Sequence, residues 1–324
     1  MRIQEVIDLV RDDMVRVEDG FKKNLSSDVW LIEKVGEYIL KSGGKRFRPL
    51  IMLLCSRVAG YGGDAHIHLA GVVEFIHTAT LLHDDVVDNA HLRRGSASAN
   101  TVWGDGASIL VGDYLLSKAF SLAVRHGDER ILKVLSDTTT RMAEGEVMQL
   151  IRHSDIETVE NEYLDVITNK TAVLFSASAR IAAILGGAVP EKEAALSDYG
   201  LLLGIAYQLM DDCLDYTSTD EDLGKQIGSD LREGKVTLPL IQAYRKAAAA
   251  EKDSLRAAIE ERGLTEERLR EVIGIIESHG GIRYTMDRAR TAVEEAKRRL
   301  DIFEPDIEKM ALMAVADFVI DRTY

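Results

Sequence analysis

Apolar residues recur at three- and four-residue spacing through nearly every segment of this 324-residue chain, beginning with Ile3, Val6, Val10, Met14 and Val17. This spacing places them on one face of an α-helix. Only 4 prolines occur, and glycines fall between the periodic stretches, where helices end. The sequence predicts an all-α chain, with helices at about 2–19, 28–41, 49–59, 66–89, 106–125, 128–152, 157–186, 191–217 and 236–250 and shorter ones to the end.

Several predicted helices are apolar around much of their circumference, as in "TAVLFSASARIAAILGGAV". Helices of this kind lie in the middle of a bundle. No low-complexity linker divides the sequence, and the charged segment "AAAAEKDSLRAAIEERGLTEERLREV" is typical of a solvated helical face. We therefore expect one domain over residues 1–324, with a peripheral helical end.

The composition excludes several classes of protein. A formal net charge of -14 disfavours nucleic acid, which binds through clustered Lys and Arg, although local basic residues can still hold a small anion. Cys55 and Cys213 lack the spacing of a zinc site or a disulfide scaffold. The N-terminus carries acids where a signal peptide needs an apolar core, and no apolar run approaches the roughly 20 residues of a membrane span. We expect a cytoplasmic protein without a membrane span.

Two acidic motifs, "LLHDDVVD" and "YQLMDDCLDY", stand in apolar surroundings. Asp84 and Asp88 share one face of a helix, as do Asp211 and Asp215, and like charges at this spacing repel. One such pair alone is more often a solvated surface. The flanks "TATLLH" and "GIAYQLM" are core sequences, however, and burying carboxylates there without cations is costly.

Carboxylate ligands favour a hard cation such as Mg²⁺. Two acidic helices that face each other across a cavity would bind a diphosphate through that cation. A di-iron centre is the competing hypothesis, but it needs a Glu-x-x-His pattern on each of two helices, and the chain has one ahead of the first motif, from Glu74 to His77. Removing Asp84 or Asp211 is predicted to leave melting nearly unchanged, because repulsion is relieved.

The two motifs resemble those of the trans-polyprenyl diphosphate synthase family, whose members carry Asp-Asp-x-x-Asp twice in an all-α fold. The match runs from "GGKRFRP" near residue 43 to "DLREGKVTLPL" near residue 240. The segments "EFIHTATLLHDDVVD", "SANTVWGDGASILVGDYLLSKAF" and "AEGEVMQL" are most similar to the bacterial long-chain, octaprenyl-type members. The resemblance implies an isoprenoid-synthase-type helical bundle around a central cavity, formed by a homodimeric protein.

The implied reaction is the Mg²⁺-dependent, sequential 1'-4 condensation of isopentenyl diphosphate onto an allylic diphosphate, farnesyl or geranyl, for delivery to a membrane as a quinone side chain. By the resemblance, Asp84, Asp88 and Asp211 hold the metal, about three ions with bound diphosphate. Asp85, Asp212 and Asp215 hold metal-bound waters or orient the ligands.

The resemblance also assigns the basic residues. Isopentenyl diphosphate would bind to Lys45, Arg48, His77 and Arg94, and the allylic diphosphate to Arg93, Lys170, Lys225 and Lys235; Thr171 and Gln208 fit positions near the allylic C1. Each residue has a plainer interpretation by itself. "GGKRFRP" also fits a helix C-cap before a new helix, a lone histidine is usually a core residue, and a lone lysine is usually solvated.

The residues that precede Asp84 bear on product length. Val73, Ile76, Ala79 and Thr80 form a stripe expected to line the tunnel for the growing chain. In the family, bulky aromatics four or five residues before the first aspartate stop growth early, and here those positions are Thr80 and Ala79. At about 5.4 Å per turn, roughly one isoprene unit, the expected product is about C40, within about C35 to C50. Close helix packing explains the same small residues equally well, and Phe120 is one candidate for the tunnel floor.

Three rival functions remain. A terpene cyclase shares the first motif, but its second metal motif has an Asn-Asp, Ser, Glu pattern. In "DDCLDYTSTDE" Asp215 stands where that Ser would fall, which disfavours cyclisation. A non-catalytic subunit of a heteromeric synthase typically loses aspartates, and this chain keeps all six. A synthase of shorter products, about C15 to C20, is the third alternative.

Overall fold

The all-α prediction is confirmed by a computed structural model, which describes residues 1–41, 43–44, 46–217, 227–260 and 264–322. The helices of the first half are α1 (Ile3–Leu9), α2 (Arg11–Leu25), α3 (Trp30–Lys41), α4 (Phe47–Val58), α5 (Ala65–Val87), α6 (Ala99–Trp103), α7 (Asp105–His126) and α8 (Glu129–Ile151). A short antiparallel hairpin, β1 (Leu92–Arg93) and β2 (Ser96–Ala97), lies between α5 and α6.

The second half is also helical. After α9 (Glu160–Ile167), a π-helical turn (Thr168–Ala172) leads directly into α10 (Val173–Leu185). The remaining helices are α11 (Pro190–Thr217), α12 (Ser229–Arg232), α13 (Leu238–Lys246), α14 (Ala249–Glu260), α15 (Glu266–Ser278), α16 (Gly281–Arg299) and α17 (Ile307–Asp321), with a 3₁₀ turn at Leu300–Ile302.

Several predicted boundaries were wrong. The first helix breaks at Val10, whose φ and ψ of -120° and 14° are not helical, and the chain then continues to Leu25. The helix expected to end near 250 stops at Lys246, because Ala247 is extended, with ψ at 149°. Neither break carries a glycine or proline as a signal. The last helices are also not short, since α16 alone has 19 residues.

The described residues form two compact units. The first comprises residues 1–139, 174–200 and 297–315. Its central helix is α5, which packs against α2, α4, α6 and α7. Phe21 of α2 stacks on Phe75 of α5, with ring centroids 4.1 Å apart. These contacts bury most of α5 up to the first aspartate motif.

The second unit comprises residues 140–173, 201–296 and 316–324. Helix α13 packs against α9, α14 and α15, and Leu238, Leu240, Val272 and Ile276 are fully buried. This unit carries the second aspartate motif near the end of α11. That the whole chain acts as a single domain stays a prediction.

The C-terminal helix is not peripheral, contrary to the sequence-based expectation. In the first unit, Leu312 and Val315 are fully buried, and the Tyr199 hydroxyl donates to the Leu312 carbonyl at 2.8 Å. In the second unit, Val319 is fully buried. The apolar pattern "ALMAVADFVI" therefore marks a core helix.

Two helices of the described chain, α5 and α7, are long and apolar enough to cross a membrane by length and composition. The apolar window of α5 is 72% buried inside the protein, so its hydrophobicity serves the core. The corresponding window of α7 is only 33% buried. The partly exposed apolar face of α7 is therefore the one that needs a further explanation.

Candidate active site

The first aspartate motif ends α5. Asp85 is 4% exposed and accepts hydrogen bonds from Nε of Arg93 at 2.8 Å and from its Nη2. Burial raises the pKa of Asp85, and the Arg93 guanidinium offsets part of that rise. Asp84 and Asp88 are half-buried, and Asp88 is the residue at which the helix ends. The three carboxylates thus have different environments although they stand within five positions.

The β1–β2 hairpin directs Arg93 back toward α5. Its two turn residues, Arg94 and Gly95, both have positive φ, 52° and 76°, as a type I′ turn requires. The hydroxyl of Tyr38 on α3 donates to the carbonyl of Ala97 at 2.6 Å and fixes the second strand. A pocket lined by Tyr38, Leu81, Arg93 and Ala97 lies beside the hairpin. Sequence analysis did not predict this hairpin, because neither strand has more than two residues.

The "GG" of "GGKRFRP" lies against this hairpin. Arg94 donates to the Gly43 carbonyl, and a Cβ at Gly44 would lie 2.7 Å from Nη1 of Arg94. Gly44 also has a φ of 149°, a conformation that L side chains rarely adopt, so any other residue there would be strained. The two basic segments that sequence analysis singled out are therefore adjacent in the structure.

Four arginines gather around His77. Burial lowers the pKa of His77 well below 6.5, and the charges of Arg48, Arg94, Arg93 and Arg46 lower it further. The imidazole is consequently neutral at physiological pH. This cluster, which we call the basic cluster, is a locally positive environment within a chain of net charge -14.

Sequence analysis did not single out Arg46 and did not predict its pairing with Glu74. Arg46 has a left-handed conformation, with φ at 47°, and forms an ion pair with Glu74, which is 5% exposed. The pair accounts for the buried glutamate that suggested a di-iron site. Arg48 places its guanidinium 4.5 Å from the ring centroid of Phe175, a cation–π contact.

The second aspartate motif also divides into three environments. Asp212 is 2% exposed and accepts from the hydroxyl of Tyr163 at 2.5 Å and from Nε2 of Gln208 at 2.8 Å. Asp215 is fully buried and accepts from the Ser229 hydroxyl at 2.9 Å and the Asp230 amide at 3.1 Å.

Burial and the neighbouring carboxylate of Asp230 raise the pKa of Asp212 well above its usual range, while the Tyr163 and Gln208 hydrogen bonds lower it. Burial, followed by the carboxylate of Asp212, raises the pKa of Tyr163 well above 10. At neutral pH Tyr163 therefore stays protonated, and its hydroxyl donates a hydrogen bond to Asp212.

Asp211 has a partner that sequence analysis missed. Its Oδ1 lies 2.8 Å from Nη1 of Arg322, whose side chain is 1% exposed. The Arg322 guanidinium also lies 3.8 Å from the Tyr207 ring centroid and donates to the carbonyls of Tyr207 and Val319. The only signal in the sequence is an arginine that directly follows an apolar helix, in "ALMAVADFVIDR".

The π-helical turn carries two further candidate residues. Nζ of Lys170 forms an ion pair with Glu146 of α8 at 2.7 Å. The hydroxyl of Thr171 donates to Oε1 of Gln208 at 3.0 Å, so these two predicted neighbours are in contact. Gln208 also bonds to Asp212, which joins the turn to the second motif.

Three further lysines were assigned to substrate binding by the resemblance: Lys45, Lys225 and Lys235. Nζ of Lys235 lies 2.7 Å from Glu233. Lys45 and Lys225 fall outside the described residues.

The predicted tunnel stripe lies on α5. Val73, Ile76 and Ala79 are at most 1% exposed, and the hydroxyl of Thr80 donates to the His77 carbonyl at 2.8 Å. Burial of this stripe fits both a tunnel lining and core packing, so the tunnel stays a prediction.

Among the residues that the structure describes, no group of three or more His, Cys, Asp or Glu side chains is placed to hold a metal by itself. The donor chemistry is nevertheless suited to a hard cation, since every candidate ligand is a carboxylate. The first motif belongs to one unit and the second to the other, and their facing arrangement stays a prediction.

Comparison with known proteins gives a consistent result. Residues 29–276 match the polyprenyl synthetase family. The chain is 44% identical to an octaprenyl diphosphate synthase of Haemophilus influenzae, covering 100% of this chain and 98% of the relative. It is 42% identical to the octaprenyl diphosphate synthase of Escherichia coli, covering 99% of each. A solved polyprenyl synthase from Caulobacter crescentus, complexed with calcium and isoprenyl diphosphate, has a TM-score of 0.96 and 41% identity, covering 99% of this chain and 98% of that one.

Proposed function

The chain belongs to the polyprenyl synthetase family and is a long-chain trans-prenyltransferase, and we propose that it adds isopentenyl diphosphate repeatedly to an allylic diphosphate up to about C40. In each cycle the allylic C1–oxygen bond breaks, diphosphate leaves, and the double bond of isopentenyl diphosphate attacks the cation. A proton then leaves, and the product is one isoprene unit longer. The departing diphosphate is the proposed acceptor of that proton.

The observation that carries this proposal is the basic cluster beside the first aspartate motif. Arginine binds phosphate oxygens bidentately, and the charges of four arginines converge on His77. We assign Arg48, Arg94 and His77, with Lys45, to isopentenyl diphosphate. Because His77 is neutral, it contributes a hydrogen bond and no charge.

Asp84, Asp88 and Asp211 would hold Mg²⁺, about three ions with the diphosphate, because Mg²⁺ needs few protein carboxylates and takes its other ligands from water and phosphate. When bound, Mg²⁺ supplies positive charge that stabilises the leaving diphosphate. Asp211 can exchange its pairing with Arg322 for the metal, since its side chain is 42% exposed.

Asp85, Asp212 and Asp215 would orient the ligands and their waters. Each is already engaged by the protein: Asp85 by Arg93, Asp212 by Tyr163 and Gln208, and Asp215 by Ser229. These hydrogen bonds would hold the three carboxylates in fixed orientations, from which they can orient the metal ligands and their waters.

The allylic diphosphate would bind to Arg93, Lys170, Lys225 and Lys235. Asp85 holds Arg93 in one orientation, and Glu146 does the same for Lys170. The Thr171 hydroxyl donates a hydrogen bond to Gln208, so the lone pairs of its oxygen remain to stabilise a positive allylic carbon.

The product length of about C40 is supported by the small side chains at Ala79 and Thr80, which leave room where a shorter-chain enzyme has an aromatic. Relatives also include a geranyl-diphosphate-specific nonaprenyl synthase at 38% identity and a short-chain synthase at 36%. A shorter product is therefore the alternative to exclude.

The chain is proposed to act as a cytoplasmic homodimer that delivers its product to a membrane. The support is the exposed apolar face of α7, where Leu110 and Val124 are 69% and 60% exposed. A second copy of the chain would cover this face, which explains the hydrophobicity of α7 without a membrane span.

The test is incorporation of radiolabelled isopentenyl diphosphate by the purified chain with farnesyl diphosphate, with Mg²⁺ and with excess EDTA. Label in the extractable allylic product with Mg²⁺ and none with EDTA supports the proposal. Absence of incorporation that is restored by a second protein would instead identify a subunit of a heteromeric synthase.

A further inference from the structure

The π-helical turn Thr168–Ala172 interrupts an otherwise continuous helical run from α9 to α10. Such turns are rare and occur frequently at functional sites. This one carries Lys170 and Thr171, so the inference below rests on the proposed function, which assigns both residues to the allylic substrate. Neighbouring helices must hold the π-helical turn in position.

Helix α8 holds one side of the turn. Nε of Arg141 donates to Oδ1 of Asn169 at 2.9 Å, and Nδ2 of Asn169 donates to the Asp165 carbonyl at 2.9 Å. Lys170 forms its ion pair with Glu146 of the same helix. Asn169 therefore links α8 to α9 at the start of the π turn.

Helix α11 holds the other side, through the hydrogen bond from Thr171 to Gln208. Gln208 is itself oriented by Asp212. The turn is thus fixed by side chains of two helices, one before it and one after it in the chain.

Two glycines allow these helices to approach the backbone of the turn. A Cβ at Gly145 of α8 would lie 2.9 Å from both the Asn169 carbonyl carbon and the Lys170 Cα. A Cβ at Gly204 of α11 would lie 2.6 Å from the Ala172 Cα. Distances below 3.0 Å are essentially never adopted by a real Cβ, and the opposing atoms are backbone, which cannot rotate away.

We propose that Gly145 and Gly204 are positioning residues for the prenyl transfer, acting through the π turn on Lys170 and Thr171. Their missing side chains let α8 and α11 close on the turn from two sides. A methyl group at either position displaces the turn on the order of 1 Å, a misplacement that can cost about 10²-fold in rate. Neither glycine contacts substrate in this account.

The experiment compares Gly145→Ala and Gly204→Ala with Gly274→Ala, a matched control. Gly274 lies in α15, where an added Cβ meets nothing within 4 Å and alanine favours the helix. We expect kcat to fall about 10²-fold and KM for the allylic primer to rise in the first two variants. KM for isopentenyl diphosphate should stay unchanged, a split that general destabilisation does not produce. Wild-type kcat in both variants would overturn the inference.

Lys170→Ala and Thr171→Ala, measured in parallel, separate this inference from the proposed function. If they lose activity and the glycine variants do not, the positioning role is wrong and the proposed function stands. If they retain full activity, the assignment of the two residues fails, and the positioning role falls with it.

Asn169→Ala keeps the test decisive if the glycine variants do not fold. It deletes the link to Arg141 without adding volume, and we expect kcat to fall about tenfold. Amide hydrogen exchange over residues 168–172 gives a readout that does not need activity. It should be faster in Asn169→Ala and in folded glycine variants than in the wild type or Gly274→Ala. Unchanged exchange in Asn169→Ala, with unchanged kcat, would overturn the inference.

Discussion

Replacing Asp211 with alanine leaves the Arg322 guanidinium without its carboxylate partner. Arg322 is 1% exposed, and its Nη1 lies 2.8 Å from Oδ1 of Asp211. Sequence analysis predicted that this substitution relieves repulsion and leaves melting nearly unchanged. The structure reverses that expectation, because the partner of Asp211 is a buried cation and not only a neighbouring aspartate.

The size of the effect follows from the exposure of the two groups. Removing one partner of a fully buried ion pair costs about 3–5 kcal/mol, whereas an exposed pair contributes about 0.2–1 kcal/mol. Asp211 is 42% exposed, so water can reach the position that its carboxylate leaves. Arg322 also keeps its contacts with Tyr207 and Val319. We expect Asp211→Ala to lower the free energy of unfolding by about 2 kcal/mol, and the melting temperature by roughly 3 °C.

The assay is thermal unfolding of the wild type, Asp211→Ala, Arg322→Met and the double variant in EDTA, so that no metal substitutes for the guanidinium. In a double-mutant cycle the two losses should be strongly non-additive. The double variant is expected to be close to Arg322→Met, because the stranded charge is gone. A melting temperature for Asp211→Ala within 1 °C of the wild type would refute the reasoning.

Three further predictions test other parts of the account. Asp84→Ala should lower kcat by about 10²-fold or more without the stability loss of Asp211→Ala; near-wild-type turnover would remove the metal-site assignment. Ala79→Tyr should shorten the product, and an unchanged product length would show that the tunnel runs elsewhere. His77 is neutral when folded but titrates near 6.5 when unfolded, so unfolded chains bind more protons below that pH and stability falls as the pH falls. When the pH is lowered from 7 to 5.5, the free energy of unfolding of His77→Gln, measured with urea, should therefore fall by about 1 kcal/mol less than that of the wild type. An equal fall in both proteins would contradict the lowered pKa.

Helical periodicity was sufficient to predict the fold class, and the two aspartate motifs were sufficient to predict the family. The long apolar patterns of α5 and α11 predict buried helices reliably, because the spacing of apolar residues, which can be read directly from the sequence, determines which face of a helix is buried. Boundaries such as Val10 and Ala247 were missed because no glycine or proline marks them, and tertiary packing decides where those helices stop.

The partners of the motif residues could not be predicted for a different reason. Arg322 lies 111 positions from Asp211 (322 minus 211) and Tyr163 lies 49 from Asp212, and no local pattern relates residues so far apart. The same holds for the π turn, since "TNKTA" has no signature that distinguishes it from α-helix. The need for glycine at Gly145 and Gly204 can be recognised only when the opposing backbone atoms are known.

The most direct test of the central claim is the length of the product made by the purified chain alone. The chain is incubated with Mg²⁺, farnesyl diphosphate and radiolabelled isopentenyl diphosphate, and the dephosphorylated products are separated by chromatography. The account predicts a ladder of intermediates, each one isoprene unit longer, that ends near about C40. A single product of about C15 to C20, or no extension at all, would contradict it.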